Sequence, residues 1–527
     1  MKSLKPIWLA VINHVVFGLL GAAGAVLVLL STRSYGAGLD PDSVAYIGTA
    51  RNIAHGLGAV SYGGNPLVLQ PPFYPFVLAM VDRLLGVDPL TSTRVVNALI
   101  LGLTIYVSGW LLSTLLGRAR VYGLLGAACI LASPALFGVS VMAYSEPLFI
   151  FLTVLSLLGL TLWLQNKSGV CFAVLILSAA LACMTRYVGI TLILAEGVTV
   201  LLLENEKLKL RIVHAIVFGF ISILPVALWL VRNHDVSGAF LGPRAPAAYG
   251  LIQILKVTFE TLTAWYLPSA ILGSRAVLFL LALAIGFLAG FRFRGGWATV
   301  RALRPEIAKA APVLLFVVSY LAFMVISSVT TEVSPLKDRL LSPIYVPLTL
   351  LVLILADQLL APIGQGLTPR FPGTLAVLLV GIWLLYPLRT IRADVRTGLD
   401  QGWGYSGRLW RESPTVQYLQ HHPLPASQAI YSNGPDVLYI LVHLQSKLSP
   451  LKTIDTSGEI PASSPVAQDL SQVSDLWPGP SASYLIWFDK ITDRHYLYAL
   501  NDLQRVASFQ QVDRFDDGAI YLVSRKP

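Results

Sequence analysis

Long apolar stretches fill most of this chain and alternate with short polar segments. Apolar runs of roughly 18–25 residues are typical of membrane-spanning helices. The pattern predicts eleven spans, at residues 7–31, 95–116, 120–138, 146–164, 169–185, 187–203, 211–231, 271–291, 311–329, 341–360 and 371–389. Only a short break at residues 185–187 separates the fifth span from the sixth.

Charge placement gives the predicted spans an orientation. The Lys and Arg residues cluster in alternate short loops, and such loops face the cytoplasm. With a cytoplasmic N-terminus, the outer face holds residues 32–94, residues 232–270, residues 330–340 and the segment after about residue 390. We call residues 32–94 the first outer loop. The net charge of +10 is thus explained by topology, and a nucleic-acid partner is not expected.

The first outer loop contains two helical patterns. Apolar residues recur at helical spacing after Asp40 and again from Phe73 to Leu85. Asp40 suits an N-cap position, with Pro41 as the first helical residue. We expect two amphipathic helices along the membrane surface.

Residues 392–527 are more polar than the rest of the chain. A helix is predicted from Ser413 to Gln420, and strands are predicted near residues 429–432, 484–488 and 520–523. A hairpin turn at 516–518 is expected to join Gln510–Phe515 to the last strand. The expected fold is an all-α polytopic membrane domain (residues 1–391, about eleven transmembrane helices) followed by a small extracytoplasmic α/β domain (residues 392–527).

Composition supports the membrane assignment. Hydrophobic residues make up 55% of the chain and charged residues 13%, against about 25% charged in soluble proteins. The mean hydropathy is +0.69. All three cysteines lie in apolar spans, so neither a disulfide framework nor a cysteine metal site is expected.

Two carboxylates on the predicted outer face are candidates for catalysis. Asp42 follows the first span, and Glu146 opens the fourth. Each is also explained as a carboxylate in the first turn of a helix, where the dipole favours negative charge. For Asp42 the two interpretations are about equally supported.

Four arginines are predicted on the same face, against the usual charge bias. Each alone is explained by its side chain reaching the membrane interface. Together they suit a phosphate-bearing ligand, since guanidinium binds phosphate oxygens bidentately. The four are Arg186, Arg232, Arg244 and Arg339. His55 and His234 could join an acidic cluster at a divalent ion, although no metal ligands are assigned.

These segments together resemble the GT-C superfamily of membrane glycosyltransferases. The branch they resemble is that of bacterial protein O-mannosyltransferases and aminoarabinose transferases. The likeness is carried by residues 42–46 (DSVAY), 50–56 (ARNIAHG) and 71–75 (PPFYP), and by the surroundings of Glu146, Arg186, Arg232 and Arg339. Two departures are Ser43, where a second acidic residue is usual, and Gln70, where some relatives have lysine.

The resemblance implies inverting transfer of a sugar from a polyprenyl-phosphate donor to a lipid, glycan or protein acceptor. Asp42 would be the base, with Glu146 beside it orienting hydroxyls or a metal. The four arginines would stabilise the donor phosphate. The substrate groove would include Asp40, Tyr46, Gln70, Phe73 and Tyr74.

Other functions and locations stay open from the sequence. A lipid or solute transporter also carries charges within a membrane, and a non-catalytic protein could bind a glycolipid through its C-terminal domain. The expected location is the plasma (inner) membrane with an extracytoplasmic active site. An endoplasmic-reticulum membrane with a lumenal site obeys the same topology.

Overall fold

The chain is seen here in a computed structural model. It describes residues 5–116, 119–242, 247, 249–268, 297–331, 335–360, 371–425, 427–452, 465–467 and 469–526. The helices of the membrane part are α1 (Lys5–Ser31), α2 (Pro41–Ala54), α3 (Phe73–Leu85), α4 (Pro89–Leu115), α5 (Ala119–Leu131), α6 (Pro134–Ser140), α7 (Glu146–Asn166), α8 (Gly169–Thr185), α9 (Ile190–Leu203), α10 (Leu208–Ser237), α11 (Leu251–Ala264), α12 (Trp297–Thr330), α13 (Asp338–Leu341), α14 (Tyr345–Leu360) and α15 (Phe371–Asp400).

Most of the predicted spans coincide with a helix or a bent helix pair. Five helices within the described residues are long and apolar enough to cross a membrane: α1, α4, α7, α10 and α12. The pair α5 and α6, bent by 52°, forms a sixth candidate, while α8 and α9 are shorter apolar helices. The predicted span at 271–291 lies outside the described residues, so the total of eleven stays a prediction.

Asp-Pro and Ser-Pro pairs begin four helices. In each pair the acidic or hydroxyl side chain accepts a backbone N–H two or three residues ahead, which satisfies a donor that the first turn leaves free. Proline follows, at a position that needs no N–H. The pairs are Asp40-Pro41 of α2, Asp88-Pro89 of α4, Ser133-Pro134 of α6 and Ser413-Pro414 in the C-terminal domain.

Among the described residues of the membrane part, a large apolar cluster lies among α1, α4, α5, α7, α12 and α14, and a second cluster lies among α7, α8, α9 and α10. Helices α1 and α4 approach closely where Gly21 faces Gly102. A Cβ atom on Gly21 would lie 2.5 Å from the carbonyl oxygen of Gly102. Small residues at such contacts let helix backbones pack tightly, which is a common way for membrane helices to associate.

The two helices of the first outer loop differ in burial. In α3, Phe76, Met80 and Leu84 are exposed, as expected for a helix at a membrane surface. In α2, every residue from Ser43 to Ala50 is buried. The expectation of a surface helix is therefore wrong for α2, because protein encloses this stretch on all sides.

The C-terminal part contains one five-stranded sheet, in the order β2-β1-β3-β5-β4. The strands are β1 (Ile430–Ser432), β2 (Lys447–Leu448), β3 (Ser483–Phe488), β4 (Ala507–Phe515) and β5 (Gly518–Arg525). Strand β1 is parallel to its neighbours β2 and β3, and β5 is antiparallel to its neighbours β3 and β4. The helices are α16 (Arg408–Arg411), α17 (Pro414–His421), α18 (Pro435–Val437), α19 (Leu470–Leu476) and α20 (Leu500–Val506), and a π-helical turn covers Leu438–Val442.

The predicted helix and strands of this part are confirmed, whereas β2 was not predicted. Helix α15 continues past the predicted domain boundary at residue 391 as far as Asp400. The sheet domain contacts the first outer loop through an apolar cluster that joins Ile440 to Leu39, Val44 and Ile47. The C-terminal part thus packs directly against α2.

Candidate active site

The chain just before α2 is held between two other segments. Gly38 donates its N–H to the Val141 carbonyl at 2.8 Å and accepts from the Ala143 N–H at 2.9 Å. On the other side, the Tyr405 N–H donates to the Leu39 carbonyl at 2.9 Å. This arrangement fixes the backbone that leads into the two aspartates.

Asp40 caps α2, as predicted. Its Oδ1 accepts from both the N–H and the hydroxyl of Ser43 at 2.9 Å. Its Oδ2 accepts from the Tyr144 hydroxyl at 2.6 Å and from Arg339 Nη1 at 3.2 Å. Burial raises the pKa of Asp40 above its usual value, Arg339 acts to lower it, and the nearby Asp42 raises it further.

Asp42 lies in the first turn of α2, whose N-cap is Asp40, and makes no capping hydrogen bond among the described residues. Its Oδ2 pairs with Arg339 Nη2, and its Oδ1 accepts from the Gln70 amide at 3.2 Å. The side chain of Asp42 is 27% exposed. Asp42 is therefore the aspartate of the pair that combines solvent contact with a carboxylate free of helix-capping bonds.

Glu146 is fully buried at the start of α7. Its Oε1 lies 2.7 Å from Arg186 Nη1 and 2.8 Å from Arg339 Nε. Its Oε2 is buried without a hydrogen-bond partner among the described residues. A buried carboxylate needs such cationic partners, since an unpaired buried charge is very costly.

Arg339 is the centre of the cluster and pairs with all three carboxylates. Its guanidinium also lies 3.9 Å from the centre of the Tyr144 ring, close enough for a cation–π interaction. Burial alone would lower the pKa of Arg339, but Glu146, Asp42 and Asp40 together raise it well above its usual value. Arg339 is therefore held firmly in its charged form.

Neighbouring helices fix the position of α13, which carries Arg339. The Trp265 indole, just after α11, donates to Asp338 Oδ1 at 2.7 Å. The Tyr320 hydroxyl of α12 donates to the Leu340 carbonyl at 2.6 Å. Residues on both sides of Arg339 are thus anchored, so its guanidinium is directed into the cluster.

Arg186 lies in the break between α8 and α9, where its side chain reaches α7. Besides Glu146 it donates to the Ser145 hydroxyl at 3.1 Å, and this hydroxyl lies 3.1 Å from the hydroxyl of Tyr46. Burial acts to lower the pKa of Arg186, but Glu146 and Tyr46 raise it overall. Its Nε is buried without a partner among the described residues.

Arg232, another of the four predicted arginines, lies away from Arg339 and its three carboxylate partners. Its Nη1 donates to the Leu67 carbonyl at 2.7 Å and its Nη2 to the Ala59 carbonyl at 3.3 Å, while its guanidinium covers the Trp229 ring. These bonds tie α10 to the first outer loop. A phosphate contact for Arg232 stays a prediction, and Arg244 lies outside the described residues.

The residues predicted for the substrate groove have different environments. Tyr46 and Tyr74 are buried, with ring centres 5.4 Å apart, and the Tyr74 hydroxyl donates to Asn97 Oδ1 at 3.2 Å. Gln70 and Phe73 are half-buried. Packing explains both tyrosines without a ligand, so their part in a groove stays a prediction.

Two residues of the cluster were not assigned a role from the sequence. Tyr144 covers Arg339 and bonds Asp40, and Ser145 bridges Arg186 and Tyr46. Both directly precede Glu146. The sequence did offer a signal for their roles, since both are polar residues beside a candidate carboxylate at a helix start.

The histidines suggested for a divalent ion make other contacts. His55 Nδ1 lies 2.7 Å from the Arg51 carbonyl oxygen, and the His234 ring stacks on Phe240. Within the parts of the chain that the structure describes, no three His, Cys, Asp or Glu residues are grouped to hold a metal ion. Here the guanidinium of Arg339 occupies the space between the carboxylates.

Comparison with known proteins identifies the fold. Residues 69–229 match the family described as dolichyl-phosphate-mannose-protein mannosyltransferase. Apo ArnT from Cupriavidus metallidurans superposes with a TM-score of 0.61 at 14% identity, covering 99% of this chain and 98% of that chain. For ArnT bound to undecaprenyl phosphate the TM-score is 0.59 at 14% identity, with coverages of 96% and 97%.

A second kind of membrane enzyme shares this architecture. AglB, an oligosaccharyltransferase from Archaeoglobus fulgidus in complex with an inhibitory peptide and a dolichol-phosphate, superposes with a TM-score of 0.52 at 13% identity. The alignment covers 92% of this chain and 70% of that chain. No curated protein matches the sequence. The chain has the fold of the GT-C membrane glycosyltransferases, which confirms the resemblance predicted from its motifs.

Proposed function

We propose that this protein transfers a sugar from a polyprenyl-phosphate donor to an acceptor hydroxyl at the outer face of a plasma membrane. The observation that carries the proposal is the convergence of Asp40, Asp42 and Glu146 on Arg339 and Arg186. A base and preorganised cations in one partly water-accessible cluster are what glycosyl transfer from a phosphate requires. The GT-C fold and the bound undecaprenyl phosphate of ArnT support this donor class.

Asp42 is the proposed base. It accepts the proton of the acceptor hydroxyl while the acceptor oxygen bonds to the anomeric carbon. The bond from that carbon to the phosphate oxygen breaks, and its electron pair leaves with the polyprenyl phosphate. Attack opposite the leaving group inverts the anomeric configuration. Freedom from capping favours Asp42 over Asp40, whose exposure is nearly the same, and partial exposure favours Asp42 over the fully buried Glu146.

Arg339 and Arg186 are the proposed phosphate ligands. Negative charge grows on the leaving phosphate, and fixed guanidinium groups stabilise it without reorganising. Glu146 holds both arginines through Oε1 and so acts as a positioning residue. Gln70, bonded to Asp42, would contribute a neutral donor where some GT-C relatives have a lysine.

Donor binding would also activate the base. In the described arrangement Arg339 Nη2 pairs with Asp42 Oδ2 and so occupies this oxygen. If Arg339 turns toward the donor phosphate, Oδ2 loses this partner and is free to accept the proton of the acceptor hydroxyl. Proton abstraction would then follow donor binding, which protects the donor from premature reaction.

A transfer assay tests the proposal. Membranes that carry the full chain are incubated with radiolabelled polyprenyl-phosphate sugars, and labelled lipid, glycan and protein products are separated. Transfer that depends on the chain and fails in the Asp42→Asn variant is the expected result. Movement of label across sealed vesicles without any product would contradict the proposal.

A further inference from the structure

A second feature lies behind the aspartate-bearing loop, away from the carboxylate–arginine cluster. A partly open cavity of about 230 Å³ is lined by the first outer loop, the first turns of α4 and the C-terminal domain. Sites for drug-sized ligands occupy roughly 300–1,000 Å³. The cavity therefore suits a headgroup-sized fragment better than a complete lipid.

Its lining combines apolar side chains with two guanidinium groups. Leu39, Leu90, Ile440 and Leu441 supply much of the apolar surface. Arg94, from α4, and Arg411, from α16, contribute the positive charge. The two arginines come from different parts of the chain. The cavity therefore exists only because the C-terminal domain packs on the first outer loop.

The two arginines retain unused donors. Arg94 Nη1 donates to the Thr32 carbonyl at 3.2 Å, and Arg411 Nη2 donates to the Tyr35 carbonyl at 2.7 Å. Among the described residues, neither guanidinium lies within ion-pair distance of a carboxylate, and the described lining contains none. By contrast, the nearby Arg408 pairs with Glu412 at 2.8 Å.

The cavity is also at a suitable height for a lipid headgroup. Leu90 and Arg94 lie in the first two turns of α4, where the predicted second span begins. Val95 and Leu99, next along α4, are exposed apolar residues of the kind that face lipid. An arginine side chain at the end of a span can extend to the membrane interface, where its guanidinium is able to bind phosphate oxygens.

We propose that this cavity binds the phosphate group of an anionic lipid. Arg94 and Arg411 donate charge-assisted hydrogen bonds to the phosphate oxygens, and the leucines and Ile440 contact the first carbons attached to it. Ser406, which also lines the cavity, donates to the Ala37 carbonyl, so an occupant adjoins the backbone that leads to Asp40. The site is distinct from the proposed donor phosphate site at Arg186 and Arg339.

Lipid binding to the purified full chain in a neutral detergent tests this proposal without any sugar transfer. The probe is a fluorescent phosphatidylglycerol labelled on its acyl chain. The double variant Arg94→Gln with Arg411→Gln should weaken its binding by at least about tenfold, because hydrogen bonds to charged groups are lost. Arg408→Gln is the matched control for each single variant, Arg94→Gln and Arg411→Gln, since it also removes one positive charge, from the surface beside the cavity.

Competitors identify the source of the phosphate. Unlabelled short-chain phosphatidylglycerol should displace the probe, and short-chain phosphatidylcholine should do so less well. Inorganic phosphate that competes as strongly as phosphatidylglycerol would overturn the assignment to a lipid. Binding that is unchanged in the double variant, or equally weakened in Arg408→Gln, would overturn the site. If the double variant does not fold, each single variant should show an intermediate loss.

Discussion

Arg339 and Asp42 form an ion pair across 297 residues of sequence, which joins α13 to the first turn of α2. The same guanidinium also reaches Asp40 and Glu146. Three carboxylates share two arginines, so the cluster has an excess of negative charge. A phosphate that binds there competes with the carboxylates for guanidinium donors, which makes the roles of the individual residues separable by substitution.

Asp42→Asn and Asp40→Asn should differ in their effect on transfer. The Asp42 variant removes the proposed base and should lower the rate by about 10²–10⁴-fold. Asn at position 40 still caps α2, because Asn is as good an N-cap as Asp. It should therefore retain substantially more transfer, measured as the initial rate with a saturating labelled donor. Equal losses in the two variants would remove the distinction between base and cap.

Asp40 should also affect how stability depends on pH. Burial raises its pKa in the folded protein above the unfolded value. The folded state thus binds the proton of the Asp40 carboxyl group more tightly than the unfolded state does. The contribution of Asp40 to stability is therefore fully present below its unfolded pKa and is lost as pH rises through its folded pKa. Asp40→Asn should weaken this pH dependence, seen in thermal unfolding in detergent from about pH 4 upwards. Identical pH profiles of thermal unfolding for the variant and the wild type would contradict this role of Asp40.

Arg339 should be critical for folding because of its partner Glu146. Arg339→Ala leaves the buried Glu146 with Arg186 alone, and breaking a buried ion pair costs about 3–5 kcal/mol. Arg339→Ala combined with Glu146→Gln removes the buried charge and should recover part of that loss. Thermal unfolding of the two single variants and the double variant measures the coupling. Additive losses would mean that the two residues act independently.

The sequence predicted the helices, the cap at Asp40 and the shared face of Asp42, Glu146, Arg186 and Arg339, because apolar runs and charge bias are local signals. It did not predict which arginines join the carboxylates. Arg232 resembles Arg186 in following directly after a predicted span, yet it bonds loop carbonyls. Such differences depend on how distant helices pack, as does the burial of α2, whose sequence alone suits a surface helix.

Gly404 should control how the C-terminal domain supports the candidate active site. It has φ +55°, a backbone conformation that favours glycine, and a Cβ atom here would lie 1.8 Å from the Leu39 carbonyl oxygen. Gly404→Ala should therefore push residues 403–406 away from the segment that precedes Asp40, which lowers transfer and makes the C-terminal domain easier to cleave by protease. Gly479→Ala is the matched control, because Gly479 also has a positive φ, of +99°, but has nothing within 4 Å of its Cβ position. Transfer and protease resistance should stay closer to wild type in the control. Equal effects of the two substitutions would show that backbone strain alone is responsible and that contact with Leu39 does not position the aspartates.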